Sequence, residues 1–186
     1  MGFFDRLFGA RPGHAGDARL SKAIEQVILP AVDPANPLAR EQASLAIGHL
    51  YMMRGQLPFL SDYETLCRDE IARLGESLVA IAAGGAETQA ATAALEDVLD
   101  PDRGSGSDAT LSLGKRRQRI AEAIDALIRA SVVDGSKIFR DVSENLVLDY
   151  GICQTARDRA WFKASGLDPD CATLPSAAEI LAAARR

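Results

Sequence analysis

The sequence predicts an all-α protein: a helical bundle of six to seven antiparallel helices with no sheet. Apolar residues recur at a 3.6-residue spacing through almost the whole chain of 186 residues, which is the period of an amphipathic helix. No segment alternates apolar and polar residues as a half-buried strand does. Helix-start and helix-stop residues separate the periodic segments. The length fits one domain with a sizeable core.

Residues 1–16 are predicted to form a separate amphipathic segment. Four large apolar residues fall on one face of a short helix there: Phe3, Phe4, Leu7 and Phe8. Such a face suits a membrane surface or a partner. Because a short helix without basic flanks binds lipid weakly, we favour packing onto the bundle or onto a second copy over membrane contact.

Residues 17–99 are predicted to form the first helical half, with four helices. The first follows Asp17 and stops at Pro30, and the second has the N-cap Asn36 followed by proline and runs to Gly55. The capping-box pattern of residues 61–64 starts the third helix, which carries a continuous apolar stripe and ends at the glycine pair 84–85. The fourth helix covers residues 86–99.

Residues 100–108 are predicted to be a flexible linker, because glycine, serine and aspartate dominate them and no apolar residue anchors them. The second helical half, residues 109–186, is expected to pack with the first as one domain. It contains a helix over 109–133, a turn at 134–136 and an antiparallel helix over 137–164. A capping box at 176–179 starts a C-terminal helix.

Charge and cysteine content exclude several classes of function. With a net charge of -5, general nucleic-acid binding is not expected, since phosphate neutralisation needs a basic surface. The cysteines Cys67, Cys153 and Cys171 form no CxxC pair and lack a histidine at metal-ligand spacing. They are expected to be buried thiols in a reducing cytoplasm, with no metal and no cofactor. Abundant arginine and alanine suggest a bacterial genome.

The stretch around the histidine of the second predicted helix is the main candidate ligand site. The helix is apolar on more than one side, which suggests a central position, and histidine changes its protonation near neutral pH. Four residues would line an interhelical pocket: His49, Tyr51, Met52 and Met53. The alternative, favoured by the usual burial of this residue type, is that His49 is a core or interface residue with one hydrogen bond.

Two polar residues interrupt an apolar line of the sixth predicted helix. Asn145 and Asp149 lie one turn apart on a line with Ile138, Val142 and Ile152. Polar groups on a buried face need partners, so this line predicts a buried network or a pocket wall. In the alternative that we favour, the helix is rotated, and a face with Phe139, Val142, Leu146, Cys153 and Ala160 is buried while Asp149 is solvated.

The densest positive cluster lies at the start of the fifth predicted helix: Lys115, Arg116, Arg117 and Arg119. These cations oppose the helix macrodipole, which favours a compensating anion. A phosphate or an acidic partner would suit them. A solvated helix start paired with nearby aspartates is the commoner outcome for such a run.

Two short runs, residues 28–31 and 39–47, resemble the start of small uncharacterised bacterial helical proteins associated with acyl-CoA-metabolism gene clusters. The resemblance covers residues 20–55 and contains no catalytic motif. It implies a partner or an acyl-type ligand linked to lipid or acyl-CoA metabolism. It assigns no role to any residue.

These observations together predict a non-catalytic interaction or assembly module that self-associates. The alternative is a binding protein for an apolar or acyl-type small ligand held in an interhelical pocket. An enzyme ranks third, because it would need His49 within reach of Tyr63 or of a carboxylate such as Asp149.

Overall fold

A computed structural model describes residues 22–100, 112–166 and 168–185, and these are almost entirely helical. Six helices of eight residues or more lie in those ranges: α1 (Pro37–Gln56), α2 (Leu60–Ile81), α3 (Ala86–Leu99), α4 (Leu113–Asp134), α5 (Lys137–Trp161) and α6 (Ala177–Ala184). A π-helical stretch, Ile24–Ile28, and one α-helical turn, Leu29–Ala31, precede α1. The described residues form no strand, so the all-α prediction is confirmed.

Local capping signals predict several helix ends correctly. The Asn36 side chain accepts a hydrogen bond from the Ala39 N–H at 3.0 Å and starts α1, and Ser176 forms the predicted capping box of α6. The predicted bounds of α3 are confirmed. The predicted start of α2 is wrong: Ser61 lies inside the helix, because the 3₁₀ turn Leu57–Phe59 leads directly into Leu60.

Two predicted segments fall outside the described residues. The amphipathic segment of residues 1–16, with Phe3, Phe4, Leu7 and Phe8, is one of them, and almost all of the linker predicted at residues 100–108 is the other. Both stay predictions. The helices on either side of that linker, α3 and α4, pack against each other.

The chain groups into two compact units. The central unit is Asp62–Ala156, and the terminal unit combines the chain up to Ser61 with the chain from Arg157 onward. Helix α5 passes from the central unit into the terminal unit near its end.

The core of the central unit contains residues from four helices. Eight buried side chains form one cluster: Ile71, Leu74, Leu78, Leu95, Ile120, Ile124, Leu127 and Phe139. The first three confirm the apolar stripe predicted for α2. Full burial of a leucine or phenylalanine contributes about 1.5–3 kcal/mol relative to an exposed side chain, so this cluster is the main source of the unit's stability.

The turn between α2 and α3 is joined to the turn between α4 and α5. Gly85 N–H donates to the Asp134 carbonyl at 3.0 Å, and Ser136 N–H donates to the Ala83 carbonyl at 2.8 Å. The Asp134 carboxylate accepts from the N–H groups of Glu87 and Thr88, at 2.9 and 3.0 Å, and from the Thr88 hydroxyl at 2.6 Å. It thereby caps the start of α3, where the N-cap residue Gly85 has no side chain.

The hydroxyl of Thr88 is the main cause of a lowered pKa at Asp134. The two backbone N–H groups lower the pKa further, while burial opposes them. Hydrogen bonds to the ionised form of a carboxyl favour that form. Asp134 is therefore held as a carboxylate at the junction of the two turns.

The rotated orientation predicted for α5 is confirmed in part. Phe139 and Ala160 are buried and Leu146 is half-buried, whereas Asn145 and Asp149 are exposed. Val142 and Cys153 are exposed, against that prediction. The buried side of the helix instead passes through Ser143 and Tyr150 to Gln154, whose amide lies 3.7 Å from the Sγ atom of Cys67.

The prediction that all three cysteines are buried is wrong in part. Cys67 is buried in the central unit, Cys171 is half-buried and Cys153 is exposed. A cysteine on an amphipathic helix takes the exposure of its helix face, and α5 turns this face outward.

Candidate functional site

Helix α1 is not the buried central helix that its composition suggests. Ile47 is its only buried residue, and His49, Tyr51 and Met53 are exposed. The Nδ1 atom of His49 lies 2.9 Å from the Leu45 carbonyl oxygen of the same helix. The core position predicted for His49 is therefore wrong, although the ring makes one hydrogen bond as predicted. Apolar residues surround the helix axis instead of forming one stripe, so much of this apolar surface stays exposed.

The residues predicted to line the His49 pocket lie in different environments. Tyr51 donates its hydroxyl to the Glu25 carboxylate at 2.8 Å, and that hydrogen bond raises the pKa of the tyrosine. His49 and Met52 line a shallow cavity of about 250 Å³ with polar neighbours that include Glu41 and Ser44. The Ser44 hydroxyl donates to the Arg40 carbonyl at 3.0 Å, so neither His49 nor Ser44 forms part of a nucleophile–base pair in this geometry.

A larger and more apolar cavity lies beside Met52 in the terminal unit. We call it the Trp161 pocket; its volume is about 490 Å³. Its large wall residues are Met52, Phe59 and Trp161, and Gly55 and several alanines line it as well. The remaining lining residues are Gln56, Lys163, Cys171 and Ser176. This volume falls in the range of about 300–1,000 Å³ typical of small-molecule sites.

Contacts between the ends of α1 and α5 build this pocket. Trp161, the last residue of α5, is 7% exposed, and its carbonyl accepts a hydrogen bond from Gln56 Nε2 at 3.0 Å. The chain then passes through the 3₁₀ turn Lys163–Ser165 and reverses at Gly166, whose φ of 70° lies in the left-handed region that favours glycine.

An ion-pair network holds the segment that follows this turn. Arg159 donates to both oxygens of Asp168, at 2.7 and 2.9 Å, and to Asp170 at 2.8 Å. The hydrogen bond from Arg159 is the main cause of the lowered pKa of Asp168, which falls from 3.8 to about 2. This network positions the chain that leads back to the pocket and into α6.

The polar groups at the Trp161 pocket are few. Lys163 is the only cation among its described lining residues, and its Nζ donates to the Leu174 carbonyl at 2.5 Å. Ser176 caps α6 and donates to Glu179 at 2.7 Å. The hydrogen bonds from Ser176 lower the pKa of Glu179, and the positive charge of Lys163 adds to that effect.

The predicted anion-binding cluster lies in the first two turns of α4. Lys115, Arg117 and Arg119 are exposed, and Arg116 is half-buried. Ser112 is the N-cap, with its side chain 3.4 Å from the Lys115 N–H. Arg117 lines an open depression of about 460 Å³ together with Glu64. Because cation and carboxylate share that depression, its charge does not favour an anion, and anion binding stays a prediction.

Asn145 and Asp149 do not line any of the three cavities described here. Both lie exposed on one side of α5, where the Asn145 side-chain amide donates to the Asp141 carbonyl at 2.9 Å. Large apolar side chains surround them. Ile138 is 77% and Ile152 is 68% exposed, and Val142 and Leu148 are exposed as well.

In residues 22–100, 112–166 and 168–185, no three histidine, cysteine or acidic side chains lie close enough together to hold a metal ion. No helix in the same ranges has the length and apolar character needed to cross a membrane.

Sequence reasoning missed most of the Trp161 pocket. Of its large wall residues, only Met52 was predicted to line a ligand pocket, and Phe59 and Trp161 were not. Lys163 was not predicted either. The wall residues come from positions up to about 125 apart in the chain, and no local spacing joins them. The aromatic pair Trp161–Phe162 at the end of a helix is the one signal that marks this region.

Comparison of the chain with protein-family models, with curated proteins and with solved structures finds no match in any of the three.

Proposed function

We propose that the protein is a non-catalytic interaction module that pairs with a second copy of itself through one exposed side of α5. This side, which we call the α5 face, consists of Ile138, Asp141, Val142, Asn145, Leu148, Asp149 and Ile152. The observation that carries the proposal is the symmetric placement of its apolar residues about Asn145.

The α5 face is self-complementary in sequence. Ile138 and Ile152 lie seven residues before and after Asn145, and Val142 and Leu148 lie three residues before and after it. Seven residues are close to two helical turns and three are close to one, so all five residues share a face. A twofold axis through Asn145 would place each isoleucine of one copy against the other isoleucine of the second copy, as a closed two-subunit interface requires.

Asn145 supports an antiparallel pairing with a fixed register. Its side-chain amide has two N–H donors and a carbonyl acceptor, and one N–H is used within the helix by the Asp141 carbonyl. The other donor and the acceptor can meet the same groups of Asn145 in the second copy. A polar residue at the centre of such a seam sets register at some cost in stability.

The size and charge of the α5 face predict a weak dimer. From Ile138 to Ile152 the face is about 21 Å long at the helical rise, so it is smaller than the roughly 800 Å² per partner of a standard stable interface. The twofold axis also brings Asp141 towards Asp149 of the second copy, although Lys137 pairs with Asp141 at 2.5 Å. We expect a dissociation constant on the order of 10 µM, which corresponds to a binding free energy of about -7 kcal/mol.

Sedimentation velocity over a range of concentrations around that value tests the pairing. We expect the wild type to pass from monomer to dimer and the double variant Ile138→Asp/Ile152→Asp to stay monomeric. The twofold axis would bring the new carboxylate at position 138 of one copy against the one at position 152 of the second copy, and like charges placed together in an interface are strongly unfavourable. Leu38→Asp is the matched control, since Leu38 is 65% exposed on α1. A wild type that stays monomeric, or a double variant that dimerises like it, would contradict the proposal.

Disulfide trapping tests the orientation. In a Cys153→Ala background, Asn145→Cys would place one thiol of each copy at the twofold axis, where a disulfide can form. Glu144→Cys, the neighbouring exposed position off the α5 face, is the control. We expect fast oxidation to a covalent dimer only for the cysteine at position 145. Equal rates for the two variants would rule out this register.

A further inference from the structure

We propose that the Trp161 pocket is a binding site for an apolar carboxylic acid whose carboxylate meets the ammonium group of Lys163. The site lies in the terminal unit and does not depend on pairing through the α5 face, which belongs to the central unit. It is also distinct from the pocket predicted around His49, with which it shares only Met52.

The walls of the pocket select an apolar body. Met52, Phe59 and Trp161 present a thioether chain and two aromatic rings to the cavity, and Gly55 and alanines keep it wide. Aromatic and methionine side chains give large apolar contact area, and methionine adapts to irregular shapes. A hydrocarbon chain that enters this cavity gains the free energy of removing its surface from water.

Lys163 selects the charge of the head group. An ammonium has three N–H donors and no acceptor, and one donor of Lys163 is held by the Leu174 carbonyl at 2.5 Å. That bond fixes the Nζ atom beside Leu174, and two of its donors remain for a ligand. A carboxylate would form charge-assisted hydrogen bonds with them, which are about twice as strong as bonds between neutral groups.

The nearby Glu179 carboxylate does not take the place of the ligand carboxylate at Lys163. The Glu179 carboxylate accepts from the backbone N–H and from the hydroxyl of Ser176, both at 2.7 Å, and so belongs to the capping box that starts α6. It lies near enough to Lys163 to sense its charge. Its presence limits the site to one carboxylate and disfavours ligands with several negative charges.

The single tryptophan of the chain reports directly on the pocket. Because Trp161 is that tryptophan and lies in the wall, its fluorescence responds to occupancy without a label. The full-length protein is titrated with decanoate and with decanol below their aggregation limits. We expect saturable changes with both, and at least tenfold tighter binding of decanoate.

Three variants separate the parts of the site. Lys163→Gln should weaken decanoate about tenfold and leave decanol unchanged, because it removes the charge and keeps a hydrogen-bond donor. Lys22→Gln, an exposed lysine outside the pocket and outside the α5 face, is its matched control. Gly55→Leu should abolish binding of both probes by filling the pocket, since a Cβ at Gly55 meets no atom within 4 Å and the helix tolerates leucine.

Each result decides part of the proposal. Equal affinities for decanoate and decanol, unchanged in Lys163→Gln, would overturn the role assigned to Lys163. Absence of a saturable response to either probe, or binding that survives Gly55→Leu, would overturn the site itself. Because sedimentation of the α5 variants is measured separately, failure of this proposal and failure of self-association can be told apart.

Discussion

A glycine at the junction of the two turns offers the sharpest test of the central unit. A Cβ atom at Gly84 would lie 2.7 Å from the Cβ and Oγ1 atoms of Thr88 and 2.8 Å from the Cα atom of Gly135. The φ angle of Gly84 does not lie in the left-handed region. The residue is therefore required by its close contacts with Thr88 and with Gly135 of the other turn, and not by its backbone conformation.

Two opposing effects determine how much Gly84→Ala changes the free energy of unfolding. Forcing a methyl group into a packed site costs about 1–3 kcal/mol, and the smaller freedom of alanine in the unfolded chain returns about 0.4–1 kcal/mol. We expect Gly84→Ala to lower the free energy of unfolding by about 1–2 kcal/mol, because the middle of the first range exceeds the middle of the second by about 1.3 kcal/mol. Thr88 and Gly135 cannot both move away, because Thr88 is buried and holds Asp134.

Gly151→Ala is the matched control, within α5 of the same unit. A Cβ at Gly151 meets nothing within 4 Å, so alanine should stabilise the helix by up to about 1 kcal/mol. Urea unfolding followed by circular dichroism measures both variants. The same substitution should thus have opposite signs at the two positions. A neutral or stabilising Gly84→Ala would refute the close contact of the two turns.

Three further predictions concern the junction, the ion-pair network and the α5 face. Thr88→Val should raise the pKa of Asp134 towards its ordinary value, because the Thr88 hydroxyl is the main cause of the lowered pKa; an NMR titration of the carboxyl resonance that shows no change would contradict this. Asp168 has a folded pKa of about 2, below its ordinary 3.8. Its ion pair therefore stabilises the fold above about pH 4, and this contribution is lost as the pH falls towards 2; Asp168→Asn should remove that pH dependence, and acid unfolding that matches the wild type would exclude the effect. Asn145→Leu should strengthen self-association at least tenfold and permit more than one register. A smaller fraction of dimer for this variant than for the wild type in sedimentation velocity would count against the α5 face.

Local signals account for most of the secondary structure. Asn36 and Ser176 hydrogen-bond within three residues of themselves, and the bounds of α3 coincide with the prediction. Such bonds form wherever the rest of the chain goes, because both partners are neighbours in sequence. The helix period likewise depends only on spacing along the chain.

The choice between two faces of one helix could not be made in this way. Helix α5 carries apolar residues on both sides, and only contact with the core shows that Phe139 is inside and that Ile138 and Ile152 are outside. The prediction fails more clearly for helix α1: its apolar residues suggested that the helix is buried, yet His49 is exposed. Burial depends on which surfaces of distant helices meet, and hydrophobic patterning states only which surfaces are available.

The all-helical class, most helix starts and the apolar stripe of α2 follow from residue order alone, because each depends on interactions over a few positions. The cap that Asp134 supplies to α3, the close approach at Gly84 and the Trp161 pocket do not. Each joins residues that are about 46 to 125 positions apart, and such pairs come together only when the packing of whole helices has brought their ends to one place.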